Sequence, residues 1–443
     1  MKTFAKGIHP SYCKNETKGL RIVEAIAPLK VIILLHQNLG ASCEPLVKVG
    51  DDVALGQKIG ETSKFVSAPV HASIAGKVTK IEKLPHPCGT NVLSIVIEGS
   101  GDDSRKLENS IFESRGIENI SHLEIRAAVK EAGIVGLGGA VFPAYVKLSP
   151  PKDKKIDTIL VNGCECEPYI TADHRIMLER AEDVVKGAKL VAKACNAGRI
   201  IFGVEANKKD AIKVLREVVR HKPEEGIYDG LEVVELATKY PQGGEKMLIK
   251  AVLDRAVPSG GLPLDVGVVV ANVGSCVAIA EAVFMGLPLI KRVVTVTGSG
   301  ICEPKNLLVR IGTTFKDIIE QCGGLTADAY KVIMGGPMMG VAQYTLDVPV
   351  VKATSCILVL AKKDVEEEKI YPCIKCGRCV RNCPMNLVPT RLAAYANSGK
   401  FSDFDEWGGQ DCMECGCCVY VCPAKIPIVQ LVKLGKLKLR QMK

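Results

Sequence analysis

Aromatic side chains are scarce in this chain: they make up 5% of its 443 residues, with a single tryptophan. Glycine is plentiful instead, at 42 residues, which favours α/β architecture of the nucleotide-binding kind with many tight turns. Long apolar runs are also missing. The best stretch, Val266 to Ala280, is broken by Gly267, Asn272, Gly274 and Ser275 and then meets Glu281. It falls short of the roughly 20 apolar residues that a membrane span needs. Lys2 and Lys6 are followed by no apolar run, so no secretory signal is expected, nor export. Net charge is +9, and five positive charges gather at Lys433, Lys436, Lys438, Arg440 and Lys443, with no acid among residues 431–443. Such modest basicity gives no support for nucleic-acid binding. With 47% hydrophobic and 24% charged residues, the chain reads as globular and soluble. At roughly 150 residues per domain its length predicts about three domains or more.

Cysteine is what the chain has in excess, at 19 residues. Eight of them form two copies of one pattern: Cys373, Cys376, Cys379, Cys383-Pro384, then Cys412, Cys415, Cys418, Cys422-Pro423. A doubled C-x2-C-x2-C-x3-C-P run is the ligand set of a bacterial ferredoxin module with two [4Fe–4S] clusters. Three thiolates at intervals of three residues wrap three corners of a cuboidal cluster, and the fourth cysteine crosses to the other cluster. Cys373, Cys376, Cys379 and Cys422 are therefore expected on one cluster, and Cys412, Cys415, Cys418 and Cys383 on the other. Cys417 breaks the spacing and reads as a spare thiol. Paired C-x2-C runs also bind zinc, but a zinc site has no need of the exchanged fourth cysteine. Oxygen-sensitive clusters and many reduced thiols predict a cytosolic setting.

Along the chain, a short arm (1–27) precedes β-rich runs between 28 and 100. There Val49-Gly50-Asp51-Asp52-Val53, Gly56-Gln57, Pro69 and Ala75-Gly76-Lys77-Val78 resemble a lipoyl or biotinyl barrel-sandwich hybrid domain. Glu61-Thr62-Ser63-Lys64 is similar to the hairpin that carries lipoyl groups, although the acidic residue before the lysine is missing and the following segment is one residue longer. A charged linker follows near 99–120. From 121 to 290, strand-like runs at 158–161, 199–204, 231–236 and 266–271 alternate with helical segments at 122–132, 173–195 and 207–221, which predicts a Rossmann-like parallel or mixed sheet. Ser121 is the expected N-cap of the first helix. Residues 291–362 resemble a small α+β unit of the β-grasp, or SLBB, type. An acidic link at 364–368 leads to the ferredoxin module (368–430) and a basic tail (431–443). Leading into that tail, Ile428, Leu431 and Leu434 recur at i+3 spacing among the lysines, which leaves open an amphipathic helix against a membrane subunit or anionic lipid, or a solvated tail.

Three loops carry the remaining chemistry. Gly136-Leu137-Gly138-Gly139-Ala140-Val141-Phe142-Pro143 is a glycine-rich turn that lets backbone N–H groups approach a phosphate or a ring. Asn162-Gly163-Cys164-Glu165-Cys166-Glu167-Pro168 and Asn272-Val273-Gly274-Ser275 each follow a strand, where open α/β sheets bind ligands. With Gly7-Ile8-His9-Pro10 at one end and the cysteine sets at the other, the chain resembles the RnfC family of the Rnf complex over nearly its whole length. The central domain of that family is similar to the flavin-carrying 51-kDa subunit of respiratory complex I.

The resemblance implies an FMN site. Gly136, Gly138, Gly139 and Lys147 match the loop that cradles FMN, Asn162 and Glu165 would lie near the flavin, and Phe142 and Glu167 towards NAD(H). Gly243-Gly244-Glu245 and Asn272 to Ser275 match further family turns, which places Glu245, Asn272 and Ser275 at the cofactor. Leu137, Val141, Cys164, Gly244 and Gly274 depart from the complex I pattern. By the same resemblance the fold is multidomain α/β and α+β: barrel-sandwich hybrid, Rossmann-like FMN/NADH domain, β-grasp domain and two-cluster ferredoxin module. The implied activity is hydride exchange between NAD(H) and FMN and single-electron exchange with two [4Fe–4S] clusters, within ferredoxin:NAD+ oxidoreduction coupled to Na+ or H+ transport. The implied partners are other Rnf subunits, membrane-embedded and ferredoxin-type, which hold the chain peripherally on the cytoplasmic face of the membrane. Rival readings are a corrinoid-reducing flavoprotein of a microcompartment, in which the barrel domain would follow the clusters, a pure iron–sulfur electron relay, and an acyl or biotin carrier modified at Lys64.

Overall fold

The computed structural model describes residues 1–99, 115–221, 230–365 and 369–442. Most of the expected linker (100–114) and part of the acidic link (366–368) lie outside the described residues.

A four-stranded parallel sheet forms the centre, ordered Gly230–Leu236, Arg199–Glu205, Thr158–Gly163, Val268–Asn272. In chain order this is 3-2-1-4, so the sequence switches direction between Thr158–Gly163 and Val268–Asn272, where doubly wound sheets open a crevice at their carboxyl ends. The strands run nearly continuously apolar because helices cover both faces. On one face, helices Ala181–Cys195 and Val273–Met285 pack so closely that a Cβ on Gly187 would stand 1.9 Å from the Cys276 carbonyl oxygen. On the other, helix Glu245–Leu253 buries Leu248, Ile249 and Val252 against Leu160, Ile201 and Val270. Helix His122–Glu131 starts at Ser121, whose hydroxyl accepts from Glu124 N while the Glu124 carboxylate accepts from Ser121 N, a complete capping box. The expected helix 173–195 is two, Ala172–Glu179 and Ala181–Cys195. Arg180 leaves helical geometry (φ −130°) and its guanidinium reaches Asp183 and Glu281.

The barrel-sandwich domain has one sheet of Lys30–Leu34, Asn91–Glu98, Gly76–Pro85 and Asp52–Val53, and a smaller one of Glu44–Pro45, Lys58–Glu61 and Val70–His71. Val31, Ile33, Ile59, Val70, Val78, Ile95 and Ile97 are buried between them. The α+β unit is a six-stranded mixed sheet with helix Phe315–Gln321, capped by the Thr314 hydroxyl. Its edge strand, Ile22–Glu24, comes from the N-terminal arm and pairs in parallel with Lys305–Arg310. The arm also bridges Leu236 through Lys2 and Tyr240 through Ile8, and Gly7 N–H donates to Asn382 O, so it ties three domains together.

In the cysteine-rich domain, helices Arg378–Asn382 and Cys417–Tyr420 each follow a left-handed glycine, Gly377 and Gly416. The basic stretch belongs to one helix, Ile428–Met442, which packs on Pro389–Asn397 and Phe401–Glu406, burying Ile428, Val429, Val432, Leu439 and Gly435, the last against the Phe404 ring. Helical periodicity is 3.6 rather than 3, so Leu434, expected on the apolar face, is 40% exposed.

Candidate functional site

At the switch point, Asn162 and Asn272 are register partners at the carboxyl ends of neighbouring strands. Asn272 caps helix Val273–Met285, its side-chain oxygen accepting from Gly274 N at 2.8 Å and Ser275 N at 3.3 Å. Its amide donates to the Asp173 carboxylate at 2.6 Å. Ser275 Oγ accepts from Leu137 N at 2.8 Å and donates to Val135 O at 3.2 Å, which anchors the start of the glycine turn. The crest of that turn, Gly138-Gly139-Ala140, is exposed. A Cβ on Gly138 would crowd the Asn272 side chain at 3.3 Å, while Gly139 (φ +133°) has open space around it. Val141 follows at φ +45°, a strained state for a β-branched residue. Strain of this kind gathers at functional loops.

Lys147, on the helix after the turn, pairs with Glu245 and donates to Val270 O at 3.3 Å. Asn162 reaches the third wall, its amide donating to Gly243 O at 2.7 Å. Gly136, Gly138, Gly139, Phe142, Lys147, Asn162, Glu245, Asn272 and Ser275 thus belong to the loops, strand ends and helix starts around one crevice. An anionic, planar group fits it: bare backbone lines the loop, a cation stands on one side, and two helices begin at its edge.

The two remaining acids are engaged by backbone N–H groups. Glu165 accepts from Asp173 N at 2.6 Å and His174 N at 3.2 Å at the start of helix Ala172–Glu179. Burial pushes its carboxyl up to about 7, opposed by Lys14. Lys14, from the N-terminal arm, donates to Glu165 O and Ile170 O, each at 2.6 Å. Glu167 accepts from Met338 N at 2.6 Å and Met339 N at 3.1 Å, so it joins the central domain to the α+β unit. Asp173 and Lys14 carry no local sequence signal, because their partners lie far off in the chain. Cys164 Sγ donates to Gly203 O at 3.6 Å, and Cys166 Sγ accepts from Gly243 N at 3.3 Å, with burial pushing the Cys166 thiol up to about 12.

The eight motif cysteines stand around two cavities. The smaller is lined by Cys383, Cys412, Cys415 and Cys418, with Cys417 also on its wall. The larger is lined by Cys373, Cys376, Cys379 and Cys422. Ile428 lines both, so the cavities are neighbours. Four thiols around one shared space suit a polynuclear cluster. Among the described residues, no group of three or more Cys, His, Asp or Glu converges closely enough for a single metal ion.

The smaller cavity adjoins the crevice. Tyr240 OH donates to Cys415 O at 2.7 Å, and Met413 lies against Gly244, where a Cβ would meet its methyl at 2.5 Å. Cys166, Met338 and Met413 complete this apolar contact. The larger cavity faces outward: Cys373 is exposed and Ile374 is 67% exposed. Lys436, one of the basic-stretch lysines, donates to Cys412 O at 2.5 Å and pairs with Glu414 at 2.8 Å. No helix among the described residues is long and apolar enough to cross a membrane.

Comparison with known proteins adds four family models. The Nuo51 FMN-binding domain matches residues 129–281, the RnfC barrel sandwich hybrid domain residues 2–102, the SLBB domain residues 293–342, and the 4Fe-4S dicluster domain residues 372–426. These matches and the sheets above agree with the expected fold class. The chain is 48% identical over 436 residues to the C component of the proton-translocating ferredoxin:NAD(+) oxidoreductase complex of Clostridium ljungdahlii, covering 98% of this chain and 93% of that one. It is 48% identical over 434 residues to the C component of the Na(+)-translocating ferredoxin:NAD(+) oxidoreductase complex of Acetobacterium woodii, covering 98% and 96%. The C component of the ion-translocating oxidoreductase complex of Rhodobacter capsulatus is 41% identical over 437 residues, covering 98% and 83%. Among solved structures, a chain of an NAD+-reducing [NiFe]-hydrogenase in the H2-reduced state superposes with a TM-score of 0.53 at 17% identity, covering 75% of this chain and 66% of that one, just under two thirds. That likeness is one of fold.

Proposed function

The chain belongs to the RnfC family of ion-translocating ferredoxin:NAD(+) oxidoreductase complexes, and from that premise we propose that it is the nicotinamide-reactive electron-transfer subunit of such a complex. It has an FMN-binding domain and a two-cluster [4Fe–4S] domain. Bound FMN supplies the exchange between a two-electron hydride, given or taken by NAD(H), and the single electrons that the clusters carry. The chain's residues position and insulate. Gly136, Gly138 and Gly139 let backbone approach the flavin, and Lys147 offsets the phosphate charge. Asn162, Asn272 and Ser275 hold the strand ends and the loop, Glu245 sets the position of Lys147, and Phe142 flanks the way in for NAD(H). Glu165 and Glu167 act through the backbone they fix.

Cys383, Cys412, Cys415 and Cys418 would hold the inner cluster, and Cys373, Cys376, Cys379 and Cys422 the outer one. The observation that carries this reading is the contact of Met413 with Gly244, which puts the inner cavity one residue layer from the crevice. With both clusters bound, electrons would pass between crevice, inner cluster, outer cluster and a partner subunit. The partners are membrane-embedded and ferredoxin-type iron–sulfur subunits that carry the Na+ or H+ path. This chain sits peripherally on the cytoplasmic face.

Cluster-removal variants test the order. In the anaerobic complex, Cys376→Ser should lower iron by four atoms per chain and leave NADH reduction of the remaining cluster fast. Cys415→Ser should lower iron equally yet slow NADH reduction of the outer cluster by orders of magnitude. Equal rates in the two variants would refute the order.

A further inference from the structure

The barrel-sandwich domain reaches the crevice with the loop that, in a lipoyl-like domain, would present a modified lysine. Leu39 N–H donates to Val141 O at 3.1 Å. Tyr145, two residues before Lys147, donates its hydroxyl to Phe65 O, and the two rings meet edge to face with centroids 5.9 Å apart at 82°. Loops 37–41 and 62–66 are themselves joined, since Ala41 N–H donates to Val66 O at 2.9 Å and Ser67 Oγ donates to Ala41 O at 3.0 Å. They make a firm wall beside the exposed crest Gly138-Gly139-Ala140.

That wall is apolar where solvent would favour polar groups. Phe65 is 64% exposed and Leu39 55% exposed, with the exposed Lys64 next to Phe65. An exposed aromatic at the rim of a nucleotide crevice offers its face to a ligand bound there. An aromatic face with an adjacent ammonium suits a purine ring and its phosphates.

Resting on the crevice being the flavin and NAD(H) site, we propose that Phe65, Leu39 and Lys64 bind the adenosine half of NAD(H), so that the barrel domain forms part of the dinucleotide site. The flavin end is held by the central domain, and the base end lies against this wall. Lys64 is then a ligand-binding residue rather than a site of covalent modification.

The test uses the anaerobic complex with a dye acceptor and two donors: NADH, and reduced nicotinamide mononucleotide, which lacks the adenosine half. Base stacking on an aromatic ring is lost in Phe65→Ala, which should raise KM for NADH about five-fold or more. The mononucleotide should show no such change, and Phe65→Trp should restore the NADH value. Lys64→Glu should raise KM for NADH in a salt-dependent way. An unchanged KM for NADH in Phe65→Ala would overturn the proposal. So would equal impairment with both donors, because the wall would then act only by shaping the glycine turn. Flavin content of the unaltered complex separates the levels: its absence sinks the underlying site reading, whereas normal flavin with unaltered NADH kinetics sinks the adenosine wall alone.

Discussion

Replacing Lys147 by methionine separates two roles that the structure allows its ammonium. As a partner of Glu245 alone, Lys147 is nearly dispensable: the side chains are 27% and 41% exposed, and ion pairs of this accessible kind are worth about 0–1 kcal/mol. As a ligand of the flavin phosphate it makes a hydrogen bond between charged groups inside a crevice, worth about 1.5–3 kcal/mol. That range is roughly a 10- to 150-fold change in Kd. The expected result for Lys147→Met is therefore a small change in thermal stability and at least ten-fold weaker FMN, measured by fluorescence titration of the flavin-depleted, anaerobic protein. Glu245→Gln keeps an oxygen acceptor that positions the Lys147 ammonium and removes the competing negative charge, so FMN should bind as tightly or more so. A loss below three-fold in Lys147→Met, with a large loss in Glu245→Gln, would show that the carboxylate and not the ammonium organises the site.

Gly187→Ala should destabilise the central domain by more than about 3 kcal/mol, since a gain of about 1 kcal/mol in helix propensity cannot offset a backbone clash. Flavin should be lost with it, because helix Val273–Met285 carries the cap at Asn272; wild-type melting temperature and flavin content would refute this. Tyr240→Phe leaves the Cys415 carbonyl without its donor in a buried place, at about 1–3 kcal/mol, and should lower the temperature at which cluster absorbance is lost. Identical melting curves would exclude a role for that bond. Lys352 is buried with no carboxylate beside it among the described residues, donating to Pro69 O and Gly133 O at 2.7 Å each, and burial lowers it to about 7. Its folded state binds fewer protons than the unfolded chain between pH 7 and 10.5, so its burial costs most below pH 7 and the cost fades as pH rises. Lys352→Met should remove a rise in stability of roughly 1.4 kcal/mol per pH unit between pH 7 and 9, read from melting temperature against pH; parallel curves for the two proteins would contradict it.

Where information was local, the sequence could be read. The apolar runs at 158–161 and 199–204 are strands because nothing polar interrupts them, and Ser121 with Glu124 announces a capping box. The cysteine spacing was equally informative, because a short loop has few ways to place three thiols around one space. Long-range commitments left no such trace. Glu167 looked free to face a ligand, yet two backbone N–H groups 171 and 172 residues further along the chain donate to it. Lys14 enters the base of the crevice region from the N-terminal arm, and Phe65 reaches its rim from another domain. Lys436 sat in a run that read as a solvated or membrane-facing charge, but its ammonium holds the loop at Cys412.

Titration of the anaerobic complete chain with NADH, followed by optical and EPR spectra, tests the central claim most directly. The account predicts bleaching of a flavin band together with reduced-cluster signals from a protein holding eight irons. Eight irons with no flavin band and no reduction by NADH would contradict it and leave only an iron–sulfur relay.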